Sequence, residues 1–386
     1  MSFELSVPEK VIFGRGCLAR LEQLVAGYGD RALVVHGANP DRAQSVKGLL
    51  VKSGFETHLY SVGGEPTVED IAKGVEEAKR KNVTLVIGIG GGSAIDAAKA
   101  ISGLATNPGD IHDYLEVVGR GNPLTKSGLA CVAIPTTAGT GAEVTRNSVI
   151  ASLEHKVKVS LRSPFLLPRI ALVDPELSYS LPAKVTIATG LDALTQLIEP
   201  LASIRANPVT DGLCREGIAR VARSLPAVVQ NGKDFTAREE MSLASLFGGL
   251  ALANAGLGAV HGFAGPIGGM FNAPHGLVCG ILLPFVVDAN IKALRSRTPN
   301  SIALGRYDEI GQLLTASRQA DAADGLAWLT DLNKTLNVPR LSSLGIPKES
   351  IPEIAGKAAK ASSMKANPIE LTLPELEAIL HAAWQG

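Results

Sequence analysis

Four side chains in the second half of the chain have the types and spacing of a divalent-metal site. Asp192 and Gln196 are four residues apart, so on a helix both point to the same side, one turn apart. His261 and His275 follow in a segment punctuated by Gly and Pro, where two imidazoles could turn back toward that helix. One carboxylate and two imidazoles, with a position left for a substrate oxygen, suit Zn²⁺ or Fe²⁺ acting as a Lewis acid. The simpler alternative is that each histidine is a core or loop residue.

A second candidate site lies at a strand-to-helix junction in the first half. The apolar run 84–90 leads directly into Gly91, Gly92 and Ser93, and a helical pattern follows. Glycines there allow a diphosphate to approach the backbone, and the helix N-terminus offers free N–H groups and a positive dipole. Ser93 takes the place of the third Gly of the usual dinucleotide-binding pattern. A tight structural turn is the alternative.

A second polar loop favours cofactor binding over a structural turn. Residues 135–141 follow the next predicted strand and contain Thr136, Thr137 and Thr140. Two such loops at neighbouring carboxyl ends of parallel strands form the crevice in which nucleotides usually bind. The sequence therefore predicts a nucleotide cofactor at this edge.

The elements that must position these residues change character along the chain. Strand and helix patterns alternate up to about residue 135, which predicts a parallel, doubly wound sheet. Residues 147–161 indicate a β-hairpin that turns near Glu154, and almost everything after Pro182 has a helical pattern. We therefore predict an α/β domain over residues 1–180 and an all-helical domain over residues 181–386. The predicted strands are 31–37, 56–62, 83–90 and 129–135, and the predicted helices are 41–54, 67–82 (with Thr67 as N-cap) and 93–105.

The composition is that of a globular enzyme. The 386 residues contain 37 Lys+Arg and 37 Asp+Glu, so there is no basic field for nucleic acid. We find neither a secretory signal pattern nor an uninterrupted apolar run of 18 residues, and expect no membrane partner. The four cysteines lack CxxC spacing and are expected to be reduced, mostly buried thiols. These features predict a cytoplasmic protein.

Over essentially its whole length the chain resembles the iron-containing (group III) alcohol dehydrogenases, which share the dehydroquinate synthase-like fold. The motifs that carry the resemblance include "GGGSAIDAAKAIS", "AIPTTAGTGAEVT", "ATGLDALTQLIEP" and "APHGLVCGILLP". The resemblance implies a Rossmann-like NAD(P)-binding domain followed by a helical domain. It also implies hydride transfer between NAD(P)H and a small aldehyde, ketone or keto acid, with the substrate oxygen on a divalent metal, Fe²⁺ or Zn²⁺. We further expect a homodimer or higher homo-oligomer.

Particular residues match the family's functional positions. Asp192, His261 and His275 match three metal ligands. Gly37 stands where NAD-preferring members carry an Asp for the ribose hydroxyl, and Arg42 lies near enough in sequence to supply charge for a 2′-phosphate, so NAD and NADP both remain open. The residues that match cofactor contacts are Gly92, Ser93, Asp96, Thr136, Thr137, Thr140, Val149, Lys158 and Leu177.

Two departures from the family pattern bear on the metal. Gln196 stands where the family usually has a fourth ligand, a histidine, and Gly265 stands where it has a histidine near the substrate. A carboxamide oxygen is a weaker ligand than imidazole, so metal affinity should fall, although three ligands can suffice. Three alternatives stay open: a metal-independent reductase like the maleylacetate reductases, a lyase like dehydroquinate synthase, and a relative that binds nucleotide without turnover.

Overall fold

The computed structural model describes residues 2–155 and 157–385, which form two compact units. The sheet unit consists of residues 6–137 and 141–179. The helical unit consists of residues 180–385 together with the short segments 2–5 and 138–140. We keep the sequence-based division at residue 180 as the proposed domain boundary.

The sheet unit contains a six-stranded parallel sheet and a separate antiparallel hairpin. Six strands pair in the order β1-β8-β5-β4-β2-β3, and β6 pairs with β7. The predicted parallel α/β architecture is therefore confirmed, and the hairpin turns where the sequence predicted. The elements are β1 Lys10–Phe13, α1 Leu21–Val25, β2 Arg31–His36, α2 Asp41–Lys52, β3 Glu56–Ser61, α3 Val68–Arg80, β4 Leu85–Gly90, α4 Gly92–Thr106, β5 Ala130–Pro135, β6 Asn147–Ser152, β7 Val157–Arg162 and β8 Ile170–Val173.

Two apolar layers hold the helices on opposite faces of the sheet. Successive side chains of β2 alternate between the faces, because side chains in a strand have a period of two. Leu33 and Val35 belong to the core that contains residues of α3 and α4, whereas Ala32 and Val34 belong to the core that contains residues of α1 and α2. Thr67 caps α3 with a reciprocal capping box, as its position predicted.

The helical unit has one large core built around α5. This helix is buried along most of its length and packs against α6, α7 and α9. This packing determines which side chains of α5 face each of the three neighbouring helices. The helices are α5 Ala183–Ala202, α6 Pro208–Gln230, α7 Phe235–Ala255, α8 Ala259–Phe271, α9 His275–Arg297, α10 Ile302–Thr315, α11 Ala322–Thr335, α12 Ile351–Ala359 and α13 Leu373–Gln385.

Among the helices in the described part of the chain, only α9 is by itself long and apolar enough to cross a membrane. Asp288 and Lys292 interrupt its apolar sequence, and 72% of its most apolar stretch is buried within the fold. The bent pair of α7 and α8 passes the same test only when both helices are taken together. The core helices of globular proteins can have the same length and composition. The burial of α9 within the fold is that of a core helix.

Candidate functional site

Helix α5 presents three polar side chains along one face. Asp192, Gln196 and Glu199 stand at positions i, i+4 and i+7, so they lie above one another over two helical turns. All three are buried. A helix whose core face carries two carboxylates and a carboxamide requires strong polar partners, because burying an unpaired charge is costly.

Both predicted histidines lie on helices rather than on an irregular segment. His261 is in the first turn of α8, and His275 is the first residue of α9. The chain reverses between them at Asn272, whose left-handed conformation (φ 50°) ends α8. The turn brings the Nε2 atoms of His261 and His275 to 3.5 Å and 3.7 Å from Asp192 Oδ1. The structure thus brings together the three predicted ligands.

Two further side chains join this cluster and were not among the predicted site residues. Cys279 lies one turn after His275 on α9, and its Sγ is 3.7 Å from Nε2 of His275 and 3.9 Å from Nε2 of His261. Glu199 Oε2 is 2.6 Å from Nδ1 of His261, and its Oε1 accepts a hydrogen bond from the N–H of Val260. The spacings His275–Cys279 and Asp192–Glu199 are the sequence signals that could have revealed both.

The donor atoms of Asp192, His261, His275 and Cys279 all lie within 4.8 Å of one another. Typical zinc bond lengths in a tetrahedral site place sulfur and nitrogen ligands about 3.6 Å apart, and oxygen and nitrogen ligands about 3.4 Å apart. The observed separations of 3.5–3.9 Å come close to these values. Across residues 2–155 and 157–385, this is the one group of three or more such side chains arranged to hold a metal ion.

Two buried oxygens indicate that the cluster suits a cation. Gln196 Oε1 has no hydrogen-bond partner among the described residues, and Asp192 Oδ1 faces the Nε2 atoms of His261 and His275 at the long distances of 3.5 Å and 3.7 Å. Burial would raise the pKa of Asp192, but the hydrogen bond from His261 and the charge of His275 hold that pKa below its usual value. The Asp192 carboxylate is therefore ionised and free to bind a metal. The residues present fit the divalent ion that the family pattern implies.

Protons and a metal ion compete for this cluster. Burial would lower the pKa of His261, yet the Cys279 thiolate and the Glu199 carboxylate raise it well above its usual value. Burial likewise would raise the pKa of Cys279, but the two histidines lower it. By contrast, burial raises the pKa of Cys131 to about 12. A metal must displace the proton on His261, so metal affinity should rise with pH.

Only one side of the cluster opens to solvent. The side chains of Asp192 and His261 are 3% and 6% exposed, whereas that of His275 is 35% exposed. Glu199 Oε2 favours the tautomer of His261 in which Nδ1–H donates a hydrogen bond to this carboxylate, which leaves Nε2 available to a metal. A small molecule would therefore reach the cluster from the His275 side.

The predicted nucleotide-binding residues gather at the carboxyl ends of three adjacent strands. Gly37 follows β2, Gly91 and Gly92 follow β4, and Thr136 and Thr137 follow β5. These strands are neighbours in the order β5-β4-β2. The N–H of Thr136 donates to the carbonyl of Gly90 at 2.8 Å, which ties the two loops together. This edge is the crevice expected for a nucleotide in a doubly wound sheet.

The N-terminus of α4 lies at the glycine junction for which the sequence predicts diphosphate binding. Gly91 is the N-cap and has extended backbone, and within the described residues no side chain caps this end of the helix. Gly90, at φ 154°, approaches α4 so closely that an added Cβ would lie 2.7 Å from Cβ of Ala94. Glycine at this junction therefore serves both the turn and the close packing of strand and helix. Ser93 lies in the first turn and is only half-buried.

The remaining predicted cofactor residues have other partners. Asp96 pairs with Lys99 Nζ at 2.8 Å and accepts a hydrogen bond from the N–H of Val149 at 3.0 Å. Lys158 forms an ion pair with Glu65 at 2.5 Å. Leu177 packs against the core on the α1–α2 face, and Thr140 belongs to the helical unit.

Comparison with known proteins identifies the family. Residues 8–175 match the family model described as iron-containing alcohol dehydrogenase, and residues 186–384 match that of the C-terminal part of the Fe-containing alcohol dehydrogenase family. The chain is 38% identical to alcohol dehydrogenase 4 of Saccharomyces cerevisiae (strain ATCC 204508 / S288c), with 98% of each chain covered. Among solved structures, a 1,3-propanediol oxidoreductase is similar with a TM-score of 0.92 and 31% identity, covering 99% of this chain and 100% of the other.

A second similar structure contains a cofactor. It is the sulfoacetaldehyde reductase of Bifidobacterium kashiwanohense in complex with NAD⁺, with a TM-score of 0.87, 26% identity, and 100% of this chain and 99% of the other covered. Together with the family models, these likenesses show that the chain belongs to the iron-containing alcohol dehydrogenase family. It is an NAD(P)- and metal-dependent oxidoreductase that interconverts an alcohol and its aldehyde or ketone. The reductase and lyase alternatives are not favoured.

Proposed function

We propose that this dehydrogenase acts on a small alcohol or the corresponding carbonyl compound and holds its divalent metal on Asp192, His261 and His275. The observation that carries the assignment is a group of four donor atoms within 4.8 Å of one another, in which the buried Asp192 Oδ1 lies 3.5 Å and 3.7 Å from the two imidazoles. Small substrates agree with the names of the relatives, a propanediol oxidoreductase and a sulfoacetaldehyde reductase.

Each residue of the proposed site has a separate task. Asp192 contributes a buried negative charge, which offsets the charge of a bound cation. Glu199 keeps the His261 ring in the orientation and tautomer that leave Nε2 available. When bound, the metal supplies Lewis acidity toward a carbonyl oxygen, and the nicotinamide supplies or accepts the hydride.

For the cofactor we propose the edge formed by Gly37, Gly91, Gly92, Ser93 and the loop 136–137. Backbone N–H groups at the start of α4 would bind the diphosphate, favoured by the helix dipole. Asp96, Thr140, Val149, Lys158 and Leu177 stay predicted cofactor residues. Because Gly37 offers no carboxylate to repel a 2′-phosphate, both NAD and NADP are compatible with this edge.

Gly92→Val is expected to weaken NAD(P)H binding by at least about tenfold, because its side chain would stand where the backbone approaches the diphosphate. Fluorescence titration of NADH and NADPH measures the change, with circular dichroism as a check on folding. Gly48→Val is the matched control, since Gly48 is an exposed helix residue with nothing within 4 Å of an added Cβ. Unchanged cofactor affinity in folded Gly92→Val would refute this placement.

Glu199→Ala is expected to lower metal affinity by about 10–100-fold, because His261 then loses the group that orients its ring. Glu199→Gln should retain much of the affinity, since a carboxamide oxygen can still accept the Nδ1 proton. Competitive chelator titration measures both variants, and exposed Glu349→Ala is the control. If Glu199→Ala binds the metal as tightly as the wild type, the His261 ring does not need Glu199 to orient it.

The proposed function is tested by a panel of small aldehydes, ketones and keto acids with NADH and NADPH. We expect NAD(P)H oxidation in one-to-one proportion to alcohol formed, together with about one divalent metal per chain in the purified protein. Product formation without net NAD(P)H consumption would support a lyase instead. Cofactor binding without turnover on any substrate would support a nucleotide-binding relative that has lost its activity.

We also propose a cytoplasmic homodimer or higher homo-oligomer. The balanced charge and the four free, buried cysteines support a reducing compartment. Sedimentation velocity at micromolar concentration measures the oligomeric state, and a mass of 40.1 kDa, that of a single chain, would contradict the proposal.

A further inference from the structure

Cys279 differs in its surroundings from the other three cysteines. Cys17 lies against the carbonyl of Val173, and Cys131 and Cys214 are buried in apolar cores. Cys279 is also fully buried, yet its Sγ lies 3.7 Å and 3.9 Å from the Nε2 atoms of two histidines. Its sulfur therefore points toward the donor cluster.

The position of Cys279 follows from the geometry of α9. His275 and Cys279 are at positions i and i+4, so both side chains lie on the face that meets α5. Two glycines of α9 permit the close approach of the two helices. An added Cβ at Gly276 would lie 2.1 Å from the carbonyl oxygen of Ala188, and one at Gly280 would lie 2.4 Å from the side chain of Leu191. The packing of α9 on α5 thus holds the sulfur beside the metal site.

Gln196 is a weak donor for the metal that the cluster would hold. Gln196 projects from the same face of α5 as Asp192, but a neutral carboxamide oxygen binds Zn²⁺ or Fe²⁺ more weakly than imidazole or thiolate. Gln196 Oε1 is buried without a partner among the described residues, which is a second sign that this pocket is built for a cation. Cys279 provides the sulfur, and its distances to both imidazoles approach the roughly 3.6 Å expected between sulfur and nitrogen ligands of one zinc ion.

We propose that Cys279 is the fourth protein ligand of the metal held by Asp192, His261 and His275, and that it biases the site toward Zn²⁺. The proposal rests on the metal site put forward under Proposed function. On binding, the thiol proton passes to solvent and the thiolate bonds to the metal, without a change of oxidation state. A thiolate favours Zn²⁺ and Co²⁺ and disfavours Mg²⁺ and Mn²⁺, which prefer oxygen ligands.

Cobalt substitution tests the proposal by a readout that does not depend on activity. The full-length protein is stripped of metal with a chelator and titrated with Co²⁺. We expect a thiolate-to-cobalt charge-transfer band in the near ultraviolet, which only a sulfur ligand can produce. Cys279→Ala and Cys279→Ser should lose this band, whereas Cys214→Ala, the matched control on α6, should retain it.

Metal affinities provide the second readout. Cys279→Ala is expected to lower Zn²⁺ affinity by at least about tenfold while changing Mn²⁺ affinity by less than about twofold, because Mn²⁺ gains little from a thiolate. Circular dichroism of the metal-free variants confirms that they fold. Gln196→His in the Cys279→Ala background should restore Zn²⁺ affinity without restoring the charge-transfer band.

The outcomes separate this proposal from the metal site itself. Co²⁺ binding with identical spectra in wild type and Cys279→Ala would overturn the assignment of Cys279 and leave the other three ligands in place. Failure of the wild type to bind Co²⁺ any better than Asp192→Ala would overturn the metal site as well. Loss of the band in both Cys279 variants, with its retention in Cys214→Ala, would establish the thiolate ligand.

Discussion

Asp192→Ala is expected to leave the protein without bound metal and to lower turnover by at least about 10³-fold, since Lewis-acid stabilisation of the developing charge is worth several kcal/mol. Asp192 is the single carboxylate in the donor set, and its Oδ1 lies 3.5 Å and 3.7 Å from the two imidazoles. Metal analysis and steady-state kinetics of carbonyl reduction measure the two effects.

The same variant should lose the stabilisation that the metal provides. In the metal-free protein Asp192 Oδ1 lies 3.5 Å and 3.7 Å from the imidazoles of His261 and His275, so urea unfolding of the metal-free variant measures separately what the loss of this carboxylate costs. Added Zn²⁺ should raise the melting temperature of the wild type but not that of Asp192→Ala. Asp288→Ala, on the more exposed face of α9, is the control. A zinc-dependent rise in melting temperature that survives in Asp192→Ala would contradict the ligand assignment.

Gly276→Ala is expected to lower metal affinity by at least about tenfold and to destabilise the protein by about 1–3 kcal/mol through overpacking. The new Cβ would lie 2.1 Å from the carbonyl oxygen of Ala188 and 3.0 Å from Cβ of Asp192. Because these atoms belong to α5, the start of α9 must move away from it and carry His275 with it. Chelator titration and urea unfolding measure the two effects.

A helix glycine with room for a methyl group gives the matched control. Gly305 on α10 has nothing within 4 Å of an added Cβ, so Gly305→Ala should leave metal affinity unchanged and stabilise the helix slightly. If Gly276→Ala keeps wild-type metal affinity, the donor set does not depend on the close packing of α5 and α9.

Much of the fold follows from local signals in the sequence. The apolar run of β4, its Gly junction and the helix α4 could be predicted because a buried strand, a glycine turn and a helical pattern follow one another directly. The pairing of β6 with β7 likewise agrees with the hairpin predicted over residues 147–161. Strand β1 was missed, since its four residues at the sheet edge are too short to show a period.

The metal-site prediction was partial for a physical reason. The Asp192–Gln196 spacing shows that two side chains share a helix face, but only the turn at Asn272 determines that His261 and His275 reach that face. The sequence predicts Cys279 only as one more buried thiol, because two of its three neighbours in the cluster, Asp192 and His261, come from other helices. The sequence shows that Cys279 lies four residues after His275. This spacing does not place the sulfur beside Asp192 until α9 is known to pack on α5.

Removal of the metal from the wild-type enzyme tests the central claim most directly. Carbonyl reduction with NAD(P)H is measured before exhaustive chelation, after it, and after stepwise return of Zn²⁺ or Fe²⁺, with metal content determined at each step. We predict that activity falls to background with the metal and returns in proportion to the metal bound, up to about one ion per chain. Full activity in protein shown to be free of metal would contradict the account.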